Sequence, residues 1–319
     1  MGNAILALKN NKKIDSPRPR IAFPDFEDER VLGAVSRLEH DAILRPVIIR
    51  PPLPESDITL FAGRLSERDR TGALSAEEAR RTAGDPYYFA ALGLAEGRFD
   101  GVVAGASRTT ADTVRAAFKC VGPAPGSRLV FGLFLMETRP APPADKGRRL
   151  LFADCAVMPE PSSRALAQIG VESARAFRFF TGETPRVAFL SFSTRGSAEH
   201  EAVNKVREAA ALARKLDPSL AVDGELQADV ALVPWIADRK GAGGSPAAGR
   251  ANVLIFPDLH SGNIGYKIAE RLGGCRATGP ILWGLAKPMS DLSRGCSVED
   301  VMNAARCVAK MVTEVTTPC

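Results

Sequence analysis

Short apolar runs alternate along the chain with stretches where apolar residues return every three or four positions. Arg20–Phe23 reads as a strand, and Glu29–His40 as a helix with Val31, Leu32, Val35 and Leu38 on one face. Pro46–Ile49 reads as a second strand, and Leu74–Leu94 as helical with a break at Pro86. Phe99–Ala106 is a buried-type strand ending in small residues. It leads into a helix over Thr109–Phe118 whose start carries hydroxyl and carboxylate caps. Val121–Gly126, rich in Gly and Pro, reads as a hinge. Beyond it, Arg128–Met136 and Arg149–Ala153 form neighbouring strands around the Pro-rich loop Arg139–Lys146. A helix over Ser162–Thr181, a strand over Arg186–Leu190 and a helix over Ala198–Leu216 follow, then the segment Ala221–Gln227. After a flexible loop at Gly241–Pro246 come a strand at Ala251–Phe256 and a helix from about Gly262 to Leu272. Strand, helix, strand in this order predicts an α/β fold with a mainly parallel sheet.

Composition narrows the class. The 319 residues correspond to roughly two domains at about 150 residues each. Lys+Arg 42 against Asp+Glu 37 leaves a net charge of +5, too small and too dispersed to point to nucleic acid. The longest apolar runs, Ala251–Pro257 and Gly279–Leu285, fall far short of the ~20 residues of a membrane helix. The first twenty residues lack the apolar core of a secretory signal. The six cysteines (Cys120, Cys155, Cys275, Cys296, Cys307, Cys319) contain no C-x-x-C pair, which suits free thiols in a reducing cytoplasm. With three histidines in all (His40, His200, His260), a His-based metal site or triad is disfavoured.

The common nucleotide and hydrolase motifs, G-x-x-x-x-G-K-[ST], G-x-G-x-x-G and G-x-S-x-G, are missing. The densest chemistry lies in Lys287–Asp300, where Ser293, Arg294, Cys296, Ser297 and Asp300 precede an apolar helical stretch. Ser297 and Asp300 have the spacing of a capping box; the same helix start also suits an anion, with Arg294 as a forked donor. Cys296 has no nearby His and reads as a small buried thiol. Arg30, Arg68 and Arg115 stand next to strand ends or helix starts. They are either solvated surface residues or, if they converge, bidentate ligands for an anionic substrate.

Longer strings carry a resemblance. Phe23–Arg30, Asp100–Ala106 followed by Thr110–Arg115, Phe152–Cys155, Leu190–Thr194 and Val222–Gln227 occur in order. The most specific are Ala251–Leu259 with Gly262–Lys267, and Asp291–Ser297. The chain resembles the phosphate acetyltransferase (phosphotransacetylase) family and its phosphate acyltransferase relatives over nearly its whole length. That resemblance implies reversible transfer of an acetyl group between coenzyme A and inorganic phosphate, without an acyl-enzyme. By the match, Asp300 takes the proton of the CoA thiol, Ser293 and Arg294 stabilise the developing charge, and Arg30, Arg68 and Arg115 hold the phosphate of acetyl phosphate. Arg70 is the alternative to Arg68, and Arg108 stands where relatives often carry His.

These roles are chemically reasonable. A thiol of pKa about 8.5 gains roughly 10²–10⁴-fold from a placed general base, and a well-aimed donor to the oxyanion is worth about 3–4 kcal/mol. The resemblance further implies two α/β domains, each a mainly parallel sheet flanked by helices, with the active site in the interdomain cleft. The first domain would comprise residues 1–125 plus 284–319, and the second 126–283. It also implies a cytoplasmic homodimer, no metal or cofactor, and coenzyme A as a substrate. The alternatives are a phosphate butyryl- or propionyltransferase, or a non-catalytic domain that senses acetyl-CoA.

Overall fold

Two short apolar runs, each followed by a helix with carboxylates in or just before its first turn, set the pattern of the N-terminal half. The computed structural model describes residues 17–40, 42–69, 72–127, 129–140 and 147–314. Strand β1 (Arg20–Phe23) leads to helix α1 (Glu29–Leu38), and β2 (Arg45–Ile48) to α2 (Glu55–Arg68). Helices α3 (Ala76–Ala83) and α4 (Pro86–Ala95) follow, then β3 (Gly101–Ala104) and α5 (Thr110–Ala116), which runs into a π-helical turn at Ala117–Val121. Strands β4 (Phe131–Glu137) and β5 (Arg149–Ala153) precede α6 (Ser163–Thr181), β6 (Arg186–Leu190), α7 (Glu201–Leu216) and β7 (Ala221–Leu226). The remainder is α8 (Ala228–Leu232), α9 (Pro234–Arg239), β8 (Val253–Ile255), α10 (Leu259–Arg271), β9 (Arg276–Trp283), β10 (Met289–Asp291) and α11 (Val298–Thr313).

The described chain divides into two compact units, residues 17–130 with 279–314, and residues 131–278. In the first, the strand order is β2-β1-β3-β10-β9, parallel except where β10 meets β9. In the second, β4 pairs antiparallel with β5, and β5, β8, β6 and β7 run parallel. Both are α/β layers with one antiparallel pair each.

The first unit's core explains where its helices lie. Val31, Ala34, Val35 and Leu38 repeat at helical spacing on α1, and Val301, Ala304, Ala305 and Val308 on α11. Both stripes pack with Ile21, Phe23 and Val103 of the sheet into one core. α11 lies so close to β3 that a Cβ on Gly101 would stand 2.2 Å from Val308 Cγ1. This close approach fixes the start of α11 above the carboxyl ends of β3 and β10, the usual ligand side of a parallel sheet.

Element boundaries differ from the sequence expectation in instructive places. Leu74–Leu94 is two helices, because Asp85 caps α4 and Pro86 takes its first position, where its missing N–H costs nothing. The helix expected from Gly262 begins at Leu259, capped by Asp258, whose side chain accepts from Ser261 N. The expected loop Arg139–Lys146 falls mostly outside the described residues. Strand β10 was not anticipated: it is three residues long and includes Ser290 and Asp291, both fully buried.

Candidate active site

Three turns of the first unit meet at the carboxyl ends of its strands: the β1–α1 turn, the β3–α5 turn and the β10–α11 turn. Ser293 and Arg294 sit on the last of these, where Cys296 N donates to Ser293 O (2.9 Å) and Gly295 N to Ser293 Oγ (3.2 Å). The backbone then enters α11, capped by Ser297, whose Oγ accepts from Asp300 N at 3.2 Å. Asp300 Oδ2 completes the box by accepting from Ser297 N and Ser297 Oγ, both at 2.8 Å. The capping role of Asp300 is therefore real, and it engages Oδ2. The Arg294 side chain is exposed, and Ser293 and Asp300 are half-buried.

Arg30 is the residue that joins these turns. Asp28, the N-cap of α1, takes its Nε (3.0 Å) and Nη2 (2.6 Å) in a bidentate fork. The second Nη2 hydrogen goes to Ala106 O at 2.9 Å, and Nη1 donates to Arg294 O (2.7 Å) and Cys296 O (3.0 Å). The contact with Arg30 pulls the Asp28 carboxyl below its ordinary range, and the same pair raises the guanidinium. The two other arginines are elsewhere. Arg115 is an exposed residue of α5 paired with Asp112 of its own helix at 2.9 Å, and Arg68 is exposed in the last turn of α2. Among the described residues neither is bonded to Ser293, Arg294 or Asp300. Arg70 lies outside the described residues. Cys296 is buried, and burial pushes its thiol up to about 11, which removes the thiolate a nucleophile would need.

Sequence reading passed over a second layer of polar groups. Asp25, 3% exposed, accepts from Gly105 N (3.0 Å), Ser107 N (2.8 Å), Ser107 Oγ (2.6 Å) and the hydroxyl of Tyr87. Burial raises the Tyr87 phenol, keeping it a donor. Arg108 lies over the Tyr87 ring, 4.4 Å from its centre, and pairs with Asp85 at 2.7 Å. Its charge is thus shared with a carboxylate and a ring face. On the other side of Gly105, Asp291 is fully buried and accepts from Thr110 Oγ1 at 2.6 Å, while its Oδ1 has no partner. Burial lifts this carboxyl to about 6. Gly105 needs to be glycine twice over: its φ is +107°, and a Cβ would stand 2.1 Å from Asp291 Oδ1. A carboxylate two residues past a strand end was the available signal for Asp25, and burial distinguishes it from the exposed Glu27 two residues on.

Known proteins place this arrangement in context. The sequence model described as phosphate acetyl/butaryl transferase matches residues 6–309. The chain belongs to that family. It is 47% identical to a phosphate acetyltransferase of Thermoanaerobacterium thermosaccharolyticum over 92% of this chain and 94% of that one. It is 45% identical to a phosphate acetyltransferase of Paracoccus denitrificans, covering 91% and 93%. In structure it is similar to a phosphotransacetylase from Streptococcus pyogenes, with a TM-score of 0.84, 40% identity, and 93% and 94% of the two chains covered. Membership in the family makes the chain an acyltransferase.

Proposed function

We infer that the chain is an acyltransferase that moves an acetyl group reversibly between coenzyme A and inorganic phosphate. Near-full-length identity to phosphate acetyltransferases carries this reading, and the Ser293–Arg294 turn leading into Asp300 supports it chemically. In the direction of acetyl-CoA synthesis, a carboxylate oxygen of Asp300 takes the proton of the CoA thiol. The thiolate attacks the carbonyl carbon of acetyl phosphate, and the tetrahedral oxyanion collapses by expelling phosphate. The capping box uses Oδ2 of Asp300, so Oδ1 is the atom assigned to the proton, and cap and base coexist. Arg294 and Ser293 are the donors to the oxyanion. Arg115, with Arg68, is assigned to the phosphate end. Charge is handled throughout by protein groups, and coenzyme A enters as a substrate. The same reading makes the protein a cytoplasmic homodimer, in keeping with five described cysteines that are all free. No helix among the described residues is long and apolar enough to cross a membrane.

The deciding experiment is thioester formation by the purified protein from CoA and acetyl phosphate, run beside butyryl phosphate. Faster turnover with acetyl phosphate is expected. Preference for butyryl phosphate moves the chain to the other acyl class of its family. Absence of turnover with both, together with acetyl-CoA binding, would make it a sensing domain and overturn the proposal.

A further inference from the structure

A guanidinium has five N–H donors and no acceptor. In Arg30 all five are taken by the protein itself: two by the Asp28 carboxylate and three by backbone carbonyls of Ala106, Arg294 and Cys296. Any oxygen of a bound phosphate would have to displace one of these. Five residues earlier, in the β1–α1 turn that leads into this helix, Asp25 holds the N–H groups of Gly105 and Ser107. Three consecutive residues, 105 to 107, are therefore gripped in alternation, N–H by a carboxylate, C=O by a guanidinium, N–H by the carboxylate again. The guanidinium continues to the two carbonyls that flank Gly295.

We propose that Asp25 and Arg30 form a positioning pair that sets the β3–α5 turn and the Ser293–Arg294 turn in register, and that Arg30 acts through these backbones without contacting phosphate. The proposal deepens the acetyl-transfer reading and rests on it for its kinetic part. Arg30 is oriented by Asp28, and Asp25 by the Tyr87 hydroxyl, so neither side chain is at liberty to swing toward substrate. The consequence is a defined kinetic signature. Shifting the oxyanion donors by about 1 Å costs on the order of 10²-fold in turnover, whereas loss of a uniform substrate contact raises KM and leaves kcat.

The test compares Arg30→Lys, Arg30→Gln, Asp25→Asn and the Asp25→Asn/Arg30→Gln double variant by kcat, by KM for acetyl phosphate and CoA, and by amide exchange over residues 104–108 and 293–297. Each single change is expected to lower kcat roughly 10- to 100-fold with both KM values within about threefold. The double variant should be no worse than about threefold below the poorer single, because both act on one network. Lysine, with three donors on a point charge, is not expected to rescue Arg30→Gln. Exchange should quicken at both segments in the Arg30 variants, and over 104–108 in Asp25→Asn. A tenfold rise in KM for acetyl phosphate with kcat kept, rescue by lysine, multiplicative losses in the double variant, or wild-type exchange over 293–297 in Arg30→Gln would each overturn the proposal. The exchange readout does not depend on turnover. If the wild type fails to form acetyl-CoA while exchange responds as stated, the function reading falls and the register pair stands.

Discussion

At the scale of single residues, Asp300 carries two roles that one substitution can separate. Asp300→Asn keeps an acceptor for Ser297 but cannot take a proton, so kcat should fall about 10²–10⁴-fold with little change in KM. Ser297→Ala removes the cap, at a cost of about 1 kcal/mol in stability, and should leave kcat within a few-fold; steady-state kinetics and thermal unfolding of the pair check this. Arg115 is paired with Asp112 and exposed, so Arg115→Ala should change stability by less than about 0.5 kcal/mol. Its effect belongs in the KM for phosphate or acetyl phosphate, and a change confined to CoA would remove it from the phosphate end. Cys296, buried with its thiol pushed up to about 11, should tolerate Cys296→Ala with substantial activity. Loss of all turnover in a folded Cys296→Ala protein would restore a thiol mechanism.

At the scale of elements, the β3–α5 connection is held between two buried carboxylates, and only one of them is fully satisfied. Asp291 keeps an oxygen without a partner, and its carboxyl is raised to about 6 mainly by burial, with Asp25 adding to the rise and Thr110 opposing it. A folded-state pKa above the ordinary 3.8 means that the folded form binds this proton more tightly than the unfolded chain. The resulting stability is complete below about pH 4 and is lost as pH rises through about 6. Between pH of about 5 and about 8, the wild type should therefore lose about 1.4 kcal/mol relative to Asp291→Asn, which cannot titrate. Urea unfolding of both proteins at the two pH values measures the difference; equal values would mean that Asp291 does not titrate in this window. A carboxylate held at such cost at the end of β10 fits its place, since it anchors Thr110 at the start of α5 next to the functional turn.

At the scale of the whole molecule, every charge-handling group of the proposed reaction comes from the unit formed by residues 17–130 and 279–314. The C-terminal 36 described residues of that unit supply Ser293, Arg294 and Asp300, and the N-terminal part supplies Arg68 and Arg115, together with the positioning pair Asp25 and Arg30. Since the proposed chemistry routes charge through these side chains, prolonged dialysis against a metal chelator should leave the acetyl-transfer rate unchanged. Restoration of a lost rate by an added divalent ion would show that a metal belongs in the mechanism.

How much of this was written in the sequence depends on the range of the interaction. Strands β1, β5 and β6 and the capping boxes at Thr109 and Ser297 rest on residues within four positions of one another, and their patterns were readable one segment at a time. The family resemblance assigned roles to Ser293 and Arg294, within the string Asp291–Ser297, and to Asp300 just beyond it. Strand β10 was not readable, because Ser290 and Asp291 look like loop residues until β3 and β9 bury them on either side. Nor was the use of Arg30, which the local pattern describes only as a charged residue in the first turn of a helix. Its bonds reach 76 residues forward to Ala106 and 264 to Arg294, and the fold alone sets which backbone carbonyls stand within reach of five fixed donors. Sequence pointed to the class of chemistry through the resemblance of its longer strings to a known family, and to the local elements through side-chain type and spacing. Tertiary structure decided which charges stay exposed at the turns, as Arg294 does, and which are consumed in holding them, as Arg30 is, because burial and long-range closure, unlike periodicity, leave no mark on neighbouring residues.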